Sequence, residues 1–438
     1  MNLTTLAQTP PMGWNSFDCY GCAANERVLK ANLEAFAERL KPYGYEYFVL
    51  DNGWFADYAI KPGKEFTEER HAQSLSLDEY GRLVPSPVLF PNGLRPIIDR
   101  AHELGVKFGI HIMRGISRQA VEQNTPIKGT HLHARDIADV NSTCVWCHYN
   151  YGVDMNKPGA QEFYNSWIES LAEMGIDFIK ADDIIPFPRE IIAVADAIEQ
   201  QDRPMVLSLS PGRTSNLGDL AAYQRANMVR ITHDIWDRRS DFDKCFERWN
   251  EFAGTERPGF WPDLDMLSIG RLQVWRPKPE GVDEEKEADL VGAGFERDDR
   301  LTSDQKLTFL TMRALAATPL FMGGELLLSE QCVFDLITNR EMIACNQNGV
   351  MGRRVYAADG VEVWRSPEKG KEHCGWLGIF NRNQVGKDVA LRAADLQLPQ
   401  MDALRLRDIW NGKAINVSAG QIRETIPADG VLFLRYEI

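Results

Sequence analysis

Short apolar runs alternate with longer amphipathic stretches along the first 340 residues. The run Tyr47–Leu50 is typical of a buried strand, whereas in residues 26–41 the apolar positions recur every three or four residues, as on one face of a helix. Eight such strand–helix units follow one another, which favours a (β/α)8 TIM barrel of the α/β class over a doubly wound sheet. The predicted strands begin near Met12, Tyr47, Lys107, Asp177, Met205, Met228, Phe260 and Leu320, and the predicted helices cover 26–41, 93–104, 158–174, 189–200, 217–226, 241–253, 303–317 and 329–345.

Two kinds of segment depart from this alternation of strands and helices. Two polar stretches, up to about residue 90 and over 114–156, are predicted as long loops, and the charged stretch 277–300 as a mobile surface insertion. From about Val350, short alternating segments separated by Gly and Asn turns predict antiparallel strands. We therefore expect a catalytic barrel over residues 1–349 and a small C-terminal antiparallel β-sandwich-like domain over 350–438.

Composition limits the classes of function. The chain has 438 residues, 44% of them hydrophobic and 26% charged, as in ordinary globular proteins. A formal net charge of −14 argues against nucleic acid and anionic membrane as partners. No apolar run is long enough for a membrane span, and the N-terminus does not resemble a signal peptide, so we expect a cytoplasmic protein. A small-molecule or oligosaccharide substrate fits this composition, and a homo-oligomer is left open.

The stretch from Asp177 to Asp183 carries the strongest indication of a site. Lys180 and Asp182 lie two positions apart in the predicted strand, so they share one face. Barrel enzymes place their catalytic groups at this carboxyl end of the strands. The alternative is that Asp182 or Asp183 only caps the following helix.

Other predicted strands also end in polar groups, and aromatic residues accompany them. Carboxylates that accept hydrogen bonds from hydroxyls, beside aromatic rings, suit a sugar, whereas Mg²⁺ is the competing ligand for such oxygens. Because the chain lacks a compact acidic cluster with a phosphate loop, we favour a sugar and predict no cofactor. The polar positions are Asn15, Asp51, Asn52, Asp182, Asp183, Asp234, Asp263 and Asp265, and the aromatic ones are Trp14, Phe17, Trp54, Trp236 and Trp261.

Glycoside hydrolysis needs two carboxyl groups, about 5–5.5 Å apart when configuration is retained. Lys180 should keep Asp182 ionised and nucleophilic, because a nearby cation lowers the pKa of a carboxylate. Asp234 follows the sixth strand among apolar residues, and partial desolvation should raise its pKa, as a general acid requires. A sugar-binding protein without catalysis is the alternative on the same scaffold.

Motifs along nearly the whole chain resemble one family, glycoside hydrolase family 27, the α-galactosidase and α-N-acetylgalactosaminidase family. The resemblance identifies a divergent bacterial member. It implies retaining hydrolysis of terminal α-linked galactose or N-acetylgalactosamine without a metal, on a barrel followed by an antiparallel β-domain. The matching motifs are Pro10 to Ser16, Asp51 to Trp54, Phe90 to Leu94, Ile179 to Asp182, Arg230 to Asp234, Trp261 to Leu267, Pro319 to Met322 and Arg407 to Trp410.

The resemblance also implies roles for single residues. Asp182 is similar to the family's nucleophile and Asp234 to its acid/base, while Trp14 is expected to line the pocket. Residues similar to the family's sugar ligands are Asp51, Lys180, Arg230 and Asp265.

Three residues near the predicted site depart from the family pattern. Asn52 stands where the family has a second aspartate, His111 where it has a tyrosine, and Phe17 where it has a tryptophan. Asn52 and His111 put the substrate in question, including β-L-arabinopyranoside as an alternative. Ser210 lies near a position where a small residue in the family leaves room for an acetamido group, which favours N-acetylgalactosamine.

Two cysteine pairs, Cys19/Cys22 and Cys144/Cys147, have the CxxC spacing. The family's disulfides would need partners for Cys22 and for one of Cys144 and Cys147, and these partners are replaced by Gly53 and Ile184. One hypothesis is that both pairs form a Zn(Cys)4 site, or that His148 acts as a ligand. The alternatives are two local disulfides or thiols in a reducing cytoplasm.

Overall fold

The structure is a computed structural model that describes residues 2–56, 74–278, 280–281, 294–371, 373–398, 404–418 and 420–438. Much of the predicted surface insertion at 277–300 lies outside the described residues, as does the segment 57–73 of the loop that was expected to run to about residue 90.

Eight parallel strands form the barrel, as predicted. Each strand pairs with the next around the barrel, and β8 pairs with β1. A parallel bridge between Leu267, just after β7, and Met322 in β8 joins the remaining two edges. The strands are β1 (Met12–Asn15), β2 (Tyr47–Leu50), β3 (Lys107–Met113), β4 (Phe178–Asp182), β5 (Val206–Leu209), β6 (Met228–Arg230), β7 (Trp261–Asp263) and β8 (Leu320–Met322).

Helices follow the strands, with two departures from the prediction. The helix expected over 217–226 has only four α-helical residues, preceded by a 3-10 turn. The helix expected over 329–345 is split in two, because the Asn339 side chain accepts hydrogen bonds from two main-chain amides and starts a new helix there. The helices are α1 (Glu26–Arg39), α2 (Arg95–Glu103), α3 (Ala160–Met174), α4 (Pro188–Glu199), α5 (Leu220–Tyr223), α6 (Arg239–Phe252), α7 (Ser303–Leu315), α8 (Gln331–Ile337) and α9 (Arg340–Gln347).

The stretch 114–156, predicted as a loop, instead contains regular structure. Its short strands form a three-stranded antiparallel sheet above the carboxyl end of the barrel, between β3 and α3. One of these strands is partly exposed along its length, so its sequence lacks the apolar run that marks a barrel strand. The strands are Ile116–Ser117, Ala138–Thr143 and Asn150–Val153, and two short helices cover Arg118–Gln123 and Ala134–Ile137.

The pairing of β1 decides which way its side chains point. Gly13 and Asn15 pair with Tyr47 and Val49, which belong to the cluster that fills the barrel interior. Trp14 lies between them in a pleated strand and therefore faces outward. Its ring stacks on Phe48 at 4.6 Å between centroids, and its indole N–H donates to a main-chain oxygen. The expectation that Trp14 lines the pocket is therefore wrong, since this fully buried side chain packs under the helices.

The C-terminal region is an antiparallel β-sandwich, as predicted. One sheet has the order β9-β10-β11-β17-β13-β14 and the other β12-β16-β15, and apolar side chains lie between them. The strands are β9 (Arg353–Ala358), β10 (Val361–Pro367), β11 (Cys374–Asn381), β12 (Lys387–Arg392), β13 (Arg405–Asp408), β14 (Ala414–Ile415), β15 (Val417–Ser418), β16 (Gln421–Ile426) and β17 (Val431–Glu437).

The sandwich packs against helix α6 of the barrel. Trp249 of α6 stacks on Trp364 of β10, with 3.7 Å between ring centroids. Arg239 at the start of α6 forms an ion pair with Asp429 at 3.0 Å. The predicted boundary at residues 349 and 350 falls between α9 and β9 and stays a prediction.

Candidate active site

Asp182 ends β4 at the carboxyl mouth of the barrel, and both of its oxygens are hydrogen-bonded. Oδ2 lies 3.2 Å from His111 Nε2, and Oδ1 accepts the main-chain N–H of Asp183 at 2.9 Å. Burial by itself would raise the pKa of this carboxyl. The hydrogen bond from His111 and the nearby positive charges outweigh burial and hold the pKa well below its usual range. Asp182 is therefore ionised at neutral pH, in a fixed orientation.

Lys180 lies on the same inward face and pairs with a second carboxylate. Its Nζ is 2.8 Å from Asp51 Oδ2, which also accepts a hydrogen bond from Asn15 Nδ2 at 2.7 Å. Burial opposes the charge on Lys180, but Asp51 and Asp182 raise the pKa of its ammonium above the usual range. A permanently protonated amine is a hydrogen-bond donor and cannot act as a nucleophile. The ring of Phe17 lies 5.8 Å from this ammonium and packs against Trp236.

Arg230 at the end of β6 connects two further acidic residues of the site. It forms ion pairs with Asp265, at 3.2 Å, and with Asp234. Asp265 also accepts the main-chain N–H of Ile235 at 2.9 Å, which anchors the segment that carries Asp234. Burial would lower the pKa of the Arg230 guanidinium, but the surrounding carboxylates raise it. Arg230 thus remains charged between Asp182 and Asp234.

Asp234 does not have the environment predicted for it. Its side chain is 60% exposed, whereas Ile231, Ile235 and Trp236 around it are buried. The expected desolvation is therefore wrong, because the chain leaves the strand after Arg230 and carries this carboxylate out to the barrel mouth. An exposed carboxylate at the rim is accessible both to a leaving group and to water.

Asn52 and Ser210 lie just after β2 and β5, and their side chains are covered. Both side chains are almost completely buried. Asn52 Oδ1, Ser210 Oγ and His111 Nδ1 are shielded atoms that have no hydrogen-bond partner among the residues that the structure describes. Ser210 follows the last residue of β5, but its N–H still donates to Ala181 O at 2.9 Å, so the pairing with β4 continues and the pleat places Ser210 inward together with Val206 and Ser208. Roles for Asn52 and Ser210 in substrate binding stay predictions.

Two buried carboxyl groups next to the site have unusual acidity. Asp18 accepts a hydrogen bond from Ser268 at 2.6 Å, and burial, followed by the charge of Asp265, raises the pKa of Asp18 to about 8. Burial and the same neighbour raise the pKa of Asp263 to about 7. Asp263 is one of the polar strand-end positions predicted from the sequence, whereas Asp18 was not predicted. A lone charge in the otherwise apolar helix Phe17–Tyr20 was the available signal.

The zinc hypothesis for the two CxxC pairs is wrong. All eight cysteines lie in the described ranges and are thiols, and within those ranges no three His, Cys, Asp or Glu side chains are placed to hold a metal ion. Cys19 is in a short helix with its thiol toward Ser16 O, whereas Cys144 hydrogen-bonds Asp183. Cys22 does lie against Gly53, since a Cβ at Gly53 would be 2.9 Å from that of Cys22.

No helix within the described part of the chain is both long and apolar enough to cross a membrane.

Comparisons with known proteins agree with this architecture. Residues 358–436 match the α-galactosidase C-terminal β-sandwich domain family. The family 27 β-L-arabinopyranosidase of Geobacillus stearothermophilus is 36% identical, with a TM-score of 0.89 over 100% of this chain and 99% of that chain. A proposed α-N-acetylgalactosaminidase of Bacillus halodurans is 33% identical, with a TM-score of 0.82 over 99% and 98% of the two chains. The α-galactosidase of Cyamopsis tetragonoloba is 24% identical over 96% of this chain and 84% of its own length. The chain therefore belongs to glycoside hydrolase family 27 and is a glycoside hydrolase of the α-galactosidase type.

Proposed function

We propose that this protein is a retaining exo-glycosidase that removes a terminal pyranose of galactose configuration. In this mechanism Asp182 attacks the anomeric carbon while Asp234 protonates the departing oxygen, and Asp234 then activates the water that releases the sugar. The observation that carries the proposal is the Asp182 carboxylate, kept ionised and held at both oxygens at the barrel mouth.

The different exposure of the two carboxylates supports this division of roles. Asp182 has a side chain only 13% exposed, as expected for a group that must attack one atom from one direction. Asp234 is exposed at the barrel mouth, and a sugar bound there would cover it. Such covering raises the pKa of a carboxyl and so helps it to carry the proton that a general acid must donate.

The remaining polar groups suit a neutral sugar. Lys180 and Arg230 present donors, and Asp51 and Asp265 present acceptors, in a compact set of ion pairs around Asp182. Paired donors and acceptors can exchange hydrogen bonds with hydroxyl groups without a net change of charge. The rings of Phe17 and Trp236 add an aromatic wall for the C–H face of a pyranose.

Terminal α-linked N-acetylgalactosamine or galactose is the substrate that the family resemblance favours, with Ser210 as the small residue beside the acetamido group. β-L-arabinopyranoside is the second candidate. It has the ring configuration of galactose without the hydroxymethyl group, and an enzyme 36% identical over the whole chain acts on it. The departures at Asn52 and His111 bear on the same choice.

A panel of p-nitrophenyl glycosides tests both the activity and the substrate. The wild type should release p-nitrophenol from the α-galactoside, the α-N-acetylgalactosaminide or the β-L-arabinopyranoside, and one of the three should be clearly preferred. NMR should show that the first product keeps the anomeric configuration of the substrate. Binding of these sugars without release from any of them would favour a non-catalytic sugar-binding protein.

Asp182→Asn tests the nucleophile. The substitution should lower kcat by about 10³-fold or more because the attacking oxygen is lost, while circular dichroism shows a folded protein. Asp99→Asn removes a carboxylate from an exposed ion pair on α2 and is the matched control, with activity expected at the wild-type level. Substantial activity of Asp182→Asn would refute the assignment.

A further inference from the structure

Arg114 lies directly behind the candidate nucleophile, in the turn that follows β3. It is buried, and its main-chain N–H donates to Asp182 O at 2.9 Å. Its guanidinium donates to the carbonyl oxygen of Asp183 at 3.0 Å and to the Asp183 carboxylate at 3.0 and 3.2 Å. Nη1 also donates to Glu190 Oε1 at 2.8 Å and to Ser142 Oγ at 3.1 Å. The Arg114 side chain therefore holds Asp183 through both the main chain and the side chain of Asp183.

Asp183 has a left-handed backbone conformation. Its φ is +58°, in the left-handed region that residues other than glycine, asparagine and aspartate rarely adopt. In this conformation its N–H points back at Asp182 Oδ1, 2.9 Å away. The hydrogen bond that orients the Asp182 carboxylate thus depends on how Asp183 is held.

The opposite side of the guanidinium is equally constrained. The ring of Phe187 covers it at 3.5 Å, and Tyr164 donates its hydroxyl hydrogen to the carboxylate of Glu190. Burial raises the pKa of Glu190, while Arg114 and Tyr164 act in the opposite direction. Arg114 is therefore the shared cation of the buried carboxylate of Glu190 and the partly buried carboxylate of Asp183, and its planar fork reaches both at once.

We propose that Arg114 is a positioning residue that fixes the attacking carboxylate of Asp182 through the main-chain N–H of Asp183. The proposal rests on the proposed function, in which Asp182 is the nucleophile. In this chain, ion pairs centred on Arg114 hold the end of β4.

The first test is the pH dependence of kcat/KM for Arg114→Met. When Asp183 loses its support, Asp182 Oδ1 loses its hydrogen bond, so the acidic limb should move up by about one pH unit. Misorientation should lower kcat by about 10- to 100-fold with little change in KM. The other residues that lower the pKa of Asp182, namely His111 in β3, Lys180 in β4 and Arg230 in β6, are unchanged in this variant.

A second variant guards against a general loss of folding. Arg114→Lys keeps the charge, but a single ammonium cannot reach Asp183 O, the Asp183 carboxylate and Glu190 together, so an intermediate shift of the acidic limb is expected. Arg203→Met is the matched control. Arg203 binds Asp177 at 2.6 Å and a main-chain oxygen at the opposite end of the same strand, so its loss should lower stability without moving the pH profile.

A fluorinated glycoside that traps the covalent intermediate separates the two hypotheses. Mass spectrometry of labelled wild type should find the sugar on Asp182, and a label on any other residue would refute the proposed function. If the label is on Asp182 but both Arg114 variants keep the wild-type acidic limb and kcat, the positioning role is refuted and the proposed function stands. A shift equal to that of Arg203→Met would also refute the positioning role.

Discussion

Replacing His111 by phenylalanine should move the acidic limb of activity. His111 is buried, and its Nε2 is the only side-chain donor to Asp182 Oδ2 within the described residues, at 3.2 Å. Phenylalanine keeps a ring of similar volume and removes the donor, so the change acts mainly on this hydrogen bond. Its effect can therefore be worked out from one contact.

The magnitude follows from the hydrogen bond and the exposure of its acceptor. A hydrogen bond to an ionised group contributes about 1.5–3 kcal/mol, which corresponds to roughly one to two pKa units. The Asp182 side chain is only 13% exposed, so water replaces little of what is lost. The pKa of Asp182 lies below its usual range in the folded protein, and nucleophilic activity is present above that pKa and lost as pH falls through it. Loss of the donor raises this pKa, so the acidic limb moves to higher pH.

The assay is the pH profile of kcat/KM with the preferred p-nitrophenyl glycoside, which reports the groups of the free enzyme. His111→Gln is the control, because its side-chain amide can place an N–H near the position of Nε2 and should keep much of the wild-type profile. An acidic limb of His111→Phe that coincides with the wild-type limb would refute this account of how Asp182 is kept ionised.

Three further predictions concern stability. Trp364→Ala should lower the free energy of unfolding by about 3–5 kcal/mol through loss of the stack on Trp249, measured by chemical denaturation; a change below 1 kcal/mol would contradict this. Burial raises the pKa of Asp18 to about 8, so the protonated carboxyl stabilises the folded state at low pH. As pH rises from about 4 to 8, the free energy of unfolding should fall by at most about 1.4 kcal/mol per pH unit. In Asp18→Asn the free energy of unfolding should depend less on pH over this range, and equal slopes for the variant and the wild type would refute the role of Asp18. Gly53→Ala should cost about 1–3 kcal/mol, seen as a lower Tm, because φ is +104° and a Cβ there would meet Cys22 at 2.7–2.9 Å.

The periodicity of apolar and polar residues along the chain is enough to predict the strands and helices and the residues at the centre of the site. Eight apolar runs followed by amphipathic segments predict the barrel because a parallel strand must be buried on both faces. The same pleat places Lys180 and Asp182 on one face, and the structure shows both directed into the barrel mouth. These features depend only on neighbours two to four positions apart along the chain.

Features that depend on pairing between distant segments could not be predicted. All four residues of β1 are buried, so the sequence does not show which face is inward, and only its register with β2 turns Trp14 out and Asn15 in. Asp234 was expected to be desolvated because its neighbours in the sequence are apolar, but β6 ends at Arg230 and the chain then carries this carboxylate out to the barrel mouth. The cysteine pairs share a spacing without sharing a place in the fold.

The support of the nucleophile is the clearest case. A helix cap was the alternative interpretation of Asp182 or Asp183 in the sequence, and no local pattern connects Asp183 with Arg114, which is 69 positions away. The chain by itself specifies strands, helices and the polar groups at their ends, because these follow from short-range periodicity. Barrel closure decides which of those groups are ionised, which are exposed and which are held in place by hydrogen bonds. Only closure brings charged groups from different strands within a few ångströms of one another, where water screens their interactions incompletely.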